Sequence, residues 1–370
     1  MFSSYTVYIA TVLLSSVFAS LAQKYSRTNK KGIRIPNKFF WFISMAILIF
    51  IMGFREYTIG VDGANYIRGY DIANSMSFID YYSTFTTEPG FYLLYRLVYF
   101  IFNDYQWLFI ITAAITIACF YKAFSYEIDN ISLGLAVFIF ASTQYFYYFG
   151  IMRMGVAVSI IAVAYRYILQ NEKKKYIWMV LIATLFHYSA PFALAALFIK
   201  PNQITNRFKN STLIKIMILI PLGFYGVRYL IYPFISASRY QGYIDSTGTI
   251  SLGFLTSSLP FLILFSFFYN MLVAKNKSYQ FYFFLFIIKL FTEIFAPVIG
   301  IGRMVWYVNI SICFLLPASI RVNRDHMIKL LVLVFIILYS AVYSYNAYFG
   351  DSFRGGYMLP YENVFFKLVN

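Results

Sequence analysis

The sequence predicts an all-α, polytopic membrane protein, and three observations carry that reading. Hydrophobic residues make up 61% of the 370 positions, only 12% are charged, and mean hydropathy is +0.68. The apolar residues form continuous runs of about 16 to 20, the length that crosses a hydrocarbon core as a helix, without the alternation of barrel strands. The net charge is +16, but its lysines and arginines fall in short loops between apolar runs. That is the positive-inside pattern of a membrane protein, not the basic groove of a nucleic-acid binder.

About 10 full spans are expected, at 2–21, 39–54, 105–122, 131–149, 151–169, 213–232, 252–272, 279–299, 301–320 and 328–347. Ser20-Leu21-Ala22 resembles a signal-peptidase site. No basic residue precedes the first run, however, while Lys24, Arg27, Lys30, Lys31, Arg34 and Lys38 follow it. It reads as an uncleaved span with its N-terminus outside the cytoplasm. The loop 55–104 carries Glu56, Asp62, Asp71, Asp80 and Glu88 and is expected outside. Within it, 89–102 reaches only about 21 Å as a helix, short of a core of about 30 Å. With Arg96 in its middle, it reads as an extracytoplasmic interfacial helix.

The stretch 176–199 is long enough to cross but is interrupted by His187, Ser189 and Pro191. A full crossing would place Lys200, Arg207, Lys209, Lys275 and Arg324 outside, so a re-entrant helix pair is expected. The N-terminus, the loop 55–104 and the tail 348–370 then share the outer face. Residues 1–370 read as a single integral membrane domain, since no internal repeat or linker divides them.

Against that apolar background the charged residues stand out. Arg153 and Arg303 each sit at the edge of an apolar run. Such a cation usually faces a cavity or a polar partner, and its planar fork suits phosphate or carboxylate. Arg55 emerges from the second span, and Asp62 follows between Gly60 and Gly63, which would let the backbone bring that carboxylate close to a ligand. An N-cap is the plainer role for Asp62, as it is for Glu88 before Pro89. Tyr66 and Tyr70 share a helical face and, with Tyr57, Tyr81 and Tyr82, could stack on sugar rings. His187 beside Tyr188 and Ser189 is a core residue, a proton acceptor or a phosphate donor. His326 lies in a charged loop. Lys289 and Glu293 are spaced as a structural intrahelical pair, and Cys119 and Cys313 as buried thiols. No metal-ligand cluster, P-loop or Gly-rich nucleotide motif occurs, so no cofactor and no nucleotide substrate is expected. A lipid-linked phosphate is the natural anionic ligand.

The order of these features resembles a known pattern: G-x-D-x-x-x-Y (Gly60, Asp62, Tyr66), E-P-G-F (Glu88 to Phe91), R-x-x-x-A (Arg153, Ala157), F-H-x-S-A (Phe186 to Ala190) and G-R-x-x-x-Y (Gly302, Arg303, Tyr307). It looks like the EpsG family, related to the Wzy polymerases of O-antigen and capsule. The resemblance implies a GT-C-like fold in the bacterial inner membrane with its active site facing the exterior or periplasm. The implied substrate is an undecaprenyl-diphosphate-linked oligosaccharide whose repeat units are joined into O-antigen, capsule or exopolysaccharide, with a chain-length regulator and a flippase as partners and no nucleic acid. It implies a catalytic base in Asp62 or His187, diphosphate contacts from Arg153, Arg303 and Arg55, and glycan contacts from Glu88, Tyr66 and Tyr70. GT-C enzymes often pair two adjacent acids, whereas Gly63 follows Asp62 here, so the base stays open between Asp62 and His187. A flippase for the same lipid-linked glycan and an O-antigen ligase are the alternative readings.

Overall fold

The computed structural model describes residues 3–199, 218, 222, 253–299, 302–349 and 357–367. The chain divides into two compact units, one of residues 1–191 with 324–370 and the other of 192–323. Almost everything described is helical. Among the described residues, five helices are long and apolar enough to span a membrane, and four shorter apolar ones accompany them. The expected span 213–232 lies largely outside the described residues.

In the first unit the helices are α1 (Ser4–Lys24), α2 (Lys38–Gly53), α3 (Gly63–Ser75), α4 (Phe78–Thr84), α5 (Pro89–Phe102), α6 (Gln106–Tyr126), α7 (Leu133–Thr143), α8 (Met152–Leu169), α9 (Lys173–Thr184) and the helix His326–Ser344. They pack in the order α9, α8, α6, α2, α1, α7 and His326–Ser344. Start signals are legible: the Ser3 hydroxyl accepts from the Thr6 amide, Asn37 from Phe39 and Phe40, and Asp325 from Met327 and Ile328. Close approach is set by small residues: a Cβ on Gly134 of α7 would lie 1.8 Å from the Ser20 hydroxyl of α1. Ile9, Leu13 and Val17 of α1, and Leu330, Leu331, Ile337 and Leu338 of the last helix, remain exposed. Such bare apolar faces on long helices are surfaces for lipid.

Two glutamines close the opposite ends. At one end, where the lysine- and arginine-rich loops lie, the Gln23 amide donates to the Ile128 and Ile131 carbonyls, both at 2.7 Å, and its oxygen accepts from Leu133. At the other, Gln106 donates to the Gly53 carbonyl, 2.7 Å away. The tail 357–367 docks at this second end. Tyr361 bonds the Ser4 hydroxyl at the start of α1 and the Ile51 carbonyl near the end of α2, and Glu56 N–H donates to the Glu362 carbonyl. The N-terminus, the loop after α2 and the tail therefore meet at one end of this unit.

Helices α3, α4 and α5 form a lobe at that tail end. Phe100 and Ile101 of α5 are exposed, while Phe91, Tyr92, Tyr95 and Val98 are buried. The helix is therefore two-sided, with one apolar face in the lobe core and the other exposed. Arg96 does not simply reach for water: it donates to the Ala73 carbonyl of α3 at 3.1 Å. The stretch 176–199 is broken as anticipated. Helix α9 ends at Thr184, a turn follows, and a 3-10 segment runs from Ala190 to Phe198.

In the second unit, Leu259–Lys275, Ser278–Ile299 and Ser311–Val322 pack together. The spacing of Lys289 and Glu293 does produce an intrahelical pair, at 2.5 Å, on a lysine that is 3% exposed. Lys289 also donates to the Ser258 hydroxyl, which itself donates to Glu293. Cys119 and Cys313 are both free thiols.

Candidate active site

The site grows from a junction of two breaks at the tail end. Gly90, just inside α5, donates its amide to the Leu185 carbonyl just past α9, at 2.8 Å. The Tyr188 hydroxyl donates to the Thr87 carbonyl, 3.3 Å away. These two bonds bracket Glu88 and His187 and set their backbones side by side. A Cβ on Gly90 would lie 2.8 Å from the Leu185 carbonyl oxygen, so only glycine fits this approach. The E-P-G spacing thus has a physical reason: a proline-started helix whose second residue must touch a neighbour's backbone.

Glu88 occupies the N-cap position of α5 but makes no capping bond with its side chain. Its carboxylate is turned inward, has no accessible surface, and accepts from Arg153 Nη1 at 2.6 Å. Arg153 stands on the first turn of α8 with 24% of its side chain exposed. Its guanidinium carbon lies 6.0 Å from the centre of the Tyr66 ring, within cation–π range. Burial raises the Tyr66 phenol, with the neighbouring arginine acting in the opposite direction. Burial likewise pushes Tyr82 up to about 12, with Tyr188, Tyr81, Tyr92 and Glu88 adding in the same sense. Tyr66 and Tyr82 are therefore neutral hydroxyl groups beside this pair.

Asp62 precedes α3 and is half-buried. Its carbonyl accepts the Tyr66 amide, but its carboxylate makes no capping bond and accepts from the Asn65 amide group at 3.4 Å. The two glycines beside it serve a different purpose from the expected one. Gly60 has φ of +101°, and a Cβ there would lie 2.6 Å from the Phe149 carbonyl oxygen. A Cβ on Gly63 would lie 1.8 Å from the Tyr57 carbonyl oxygen. Both let the loop close on the protein's own backbone, not on a ligand.

His187 is buried, and its Nδ1 faces Ser189, with the amide at 3.2 Å and the hydroxyl at 2.7 Å. A backbone N–H can only donate, so Nδ1 accepts, and the neutral imidazole carries its proton on Nε2. In this form His187 is a donor.

Arg55 departs most from its expected role. Its side chain is fully buried, with Nε donating to the Ile59 carbonyl at 3.1 Å, Nη2 to the Phe149 carbonyl at 2.7 Å, and Nη1 to the Met52 carbonyl. The Phe109 and Phe149 rings lie 4.7 and 4.9 Å from its guanidinium carbon. Three carbonyls hold the cation within the protein, so Arg55 is a joint that fastens α2 to the turn before α8, and its full burial keeps it from the surface. Tyr66 and Tyr70 do share a face of α3, but each is 5% exposed and packed with Phe91, Tyr95 and Tyr99. Tyr81 is buried as well. None of these three offers an open ring to a sugar, because the lobe needs them as its core. Arg303 belongs to the second unit, half-buried in the 3-10 turn Gly302–Met304. The site built here uses first-unit residues alone.

Ser189 and Thr87 gained their roles only in three dimensions. Their signal was adjacency to singled-out residues: Thr87 precedes Glu88, and Ser189 lies two beyond His187. No curated protein and no solved structure matches the chain. One family description does, over residues 38–363, and it covers the α2 start, the lobe, the junction and the docked tail alike: the protein belongs to the EpsG family, a bacterial family associated with glycosyltransferase-like polysaccharide polymerases.

Proposed function

We propose that this protein joins polyprenyl-diphosphate-linked oligosaccharide repeat units into a surface polysaccharide, at the outer face of the bacterial cytoplasmic membrane. The terminal hydroxyl oxygen of an incoming unit forms a bond to the anomeric carbon of the growing chain. The bond from that carbon to diphosphate breaks, and polyprenyl diphosphate leaves with the electron pair. The hydroxyl proton needs an acceptor, and Asp62 fits because no helix cap consumes its carboxylate. The leaving diphosphate needs fixed cations and donors. Arg153 supplies the first, anchored on one side by Glu88 and partly exposed on the other. His187 supplies an N–H from Nε2; Arg303, on the other unit, is a separate candidate cation for a lipid diphosphate and no part of this site. Glu88 acts by holding Arg153.

The observation that carries this reading is the Arg153–Glu88 pair in a member of the EpsG family: a guanidinium pre-set by a buried acid where a membrane helix meets the tail-end lobe. The buried Lys289–Glu293–Ser258 network favours a second reading, transport of the same lipid-linked glycan, because ionised groups within spans often line pathways. Deleting the gene and sizing the surface glycan separates them. A polymerase predicts single capped units in place of the polymer. Total loss of surface glycan supports the transporter, and unchanged chain length overturns both.

A further inference from the structure

The outward side of α3 carries a feature that the reaction above does not use. An open groove of about 450 Å³ runs between α3 and the loop after α2 and is lined by Tyr57, Ala64, Ile67, Arg68, Asp71 and Tyr105. Tyr57 is 39% exposed, and Tyr105 stands perpendicular to it at 6.4 Å between ring centres. Arg68 and Asp71 are three residues apart on the exposed side of α3 and project polar groups along the groove. On the inner side of the same helix the Tyr70 phenol, 5% exposed, has no hydrogen-bond partner among the described residues. Asp104 and Asp71 both lie within electrostatic reach of that phenol. An exposed tyrosine face beside an acid and a guanidinium has the chemistry of a sugar ring's two sides. The C–H face stacks on the aromatic, and neighbouring hydroxyls donate to the carboxylate and accept from the arginine.

We propose that this groove is a glycan subsite, holding one sugar of the chain while its lipid-linked end occupies the Arg153–Asp62 site. The placement follows from the helix: Asp62 immediately precedes α3, Tyr66 on its inner side meets Arg153, and the groove lies along its outer side. This rests on the polymerase reading for the identity of the chain, but its contacts are measurable without catalysis.

The test is saturation-transfer NMR on the full-length, detergent-solubilised protein. The probe is the oligosaccharide mixture obtained by mild acid hydrolysis of the producing strain's own surface polysaccharide. Tyr57→Ala and, separately, Asp71→Asn should each reduce transfer to sugar protons roughly three- to ten-fold, the range of one aromatic contact or one hydrogen bond. Tyr25→Ala, exposed at the opposite end, should leave it unchanged. In cells the same groove variants should shorten the most abundant chain length while polymer is still made. Wild-type transfer in both groove variants, or an equal loss in Tyr25→Ala, overturns the subsite. The polymerase reading fails separately, when gene deletion leaves chain length unaltered.

Discussion

Arg153 Nη1 lies 2.6 Å from Glu88 Oε2, joining a partly exposed guanidinium to a carboxylate with no accessible surface. The two positions are 65 residues apart, one at the head of α8 and the other at the head of α5. Breaking a buried pair by removing one partner costs about 3–5 kcal/mol, because the other charge stays behind. Arg153→Ala should therefore lower the melting temperature of the solubilised protein, read by tryptophan fluorescence. Adding Glu88→Gln removes the orphaned charge and should recover most of that loss. Polymer should be absent from both. Equal melting of wild type and Arg153→Ala would mean that the pair does not hold the junction.

Lysine at position 153 separates charge from shape. It can still meet Glu88 with one bond, so the protein should fold at wild-type yield. It lacks the planar fork, and losing one charge-assisted hydrogen bond to diphosphate costs about 1.5–3 kcal/mol. Polymer output should fall roughly ten- to hundred-fold. Chain-length distribution on gels, with expression matched by immunoblot, is the measurement. Wild-type chains from Arg153→Lys would leave the arginine with only a structural role.

Asp62→Asn probes the base. The carboxylate forms no cap on α3, so its loss should leave the stability within about 0.5 kcal/mol of wild type, as for a surface change. Polymerisation should nevertheless stop. Long chains from the Asp62→Asn protein would remove Asp62 from the mechanism.

The helical class, the Lys289–Glu293 pair and the break before His187 were legible because each depends on local spacing or on run length. Partner choice was not. Arg55 and Arg153 look alike in sequence, each a lone arginine at the end of an apolar run. Only tertiary contacts give Arg55 three backbone carbonyls and Arg153 a carboxylate with room beside it. The tyrosines misled for a related reason. Composition marks a ring as suited to stacking, but whether it faces solvent or the core depends on how α3 and α5 close on each other. Tyr66 and Tyr70 went inward, and Tyr57 stayed out.

Arg55 and Gly63 should therefore fail as folding lesions. Arg55→Lys gives up at least two backbone hydrogen bonds from a charged group, on the order of 3 kcal/mol. Gly63→Ala forces a methyl onto the Tyr57 carbonyl and should cost about 1–3 kcal/mol or more. Both should melt early and accumulate poorly, and whatever protein remains should make chains of normal length. Normal melting with short chains from Arg55→Lys would return Arg55 to the diphosphate site.

The central claim is that this chain by itself builds polymer from lipid-linked units. The most direct measurement uses purified protein reconstituted in vesicles and supplied with the lipid-linked repeat units extracted from the deletion strain. A ladder of glycans growing by one repeat unit, with polyprenyl diphosphate released in step and no ladder from the Asp62→Asn protein, is the predicted result. Repeat units that cross the bilayer without lengthening would contradict it.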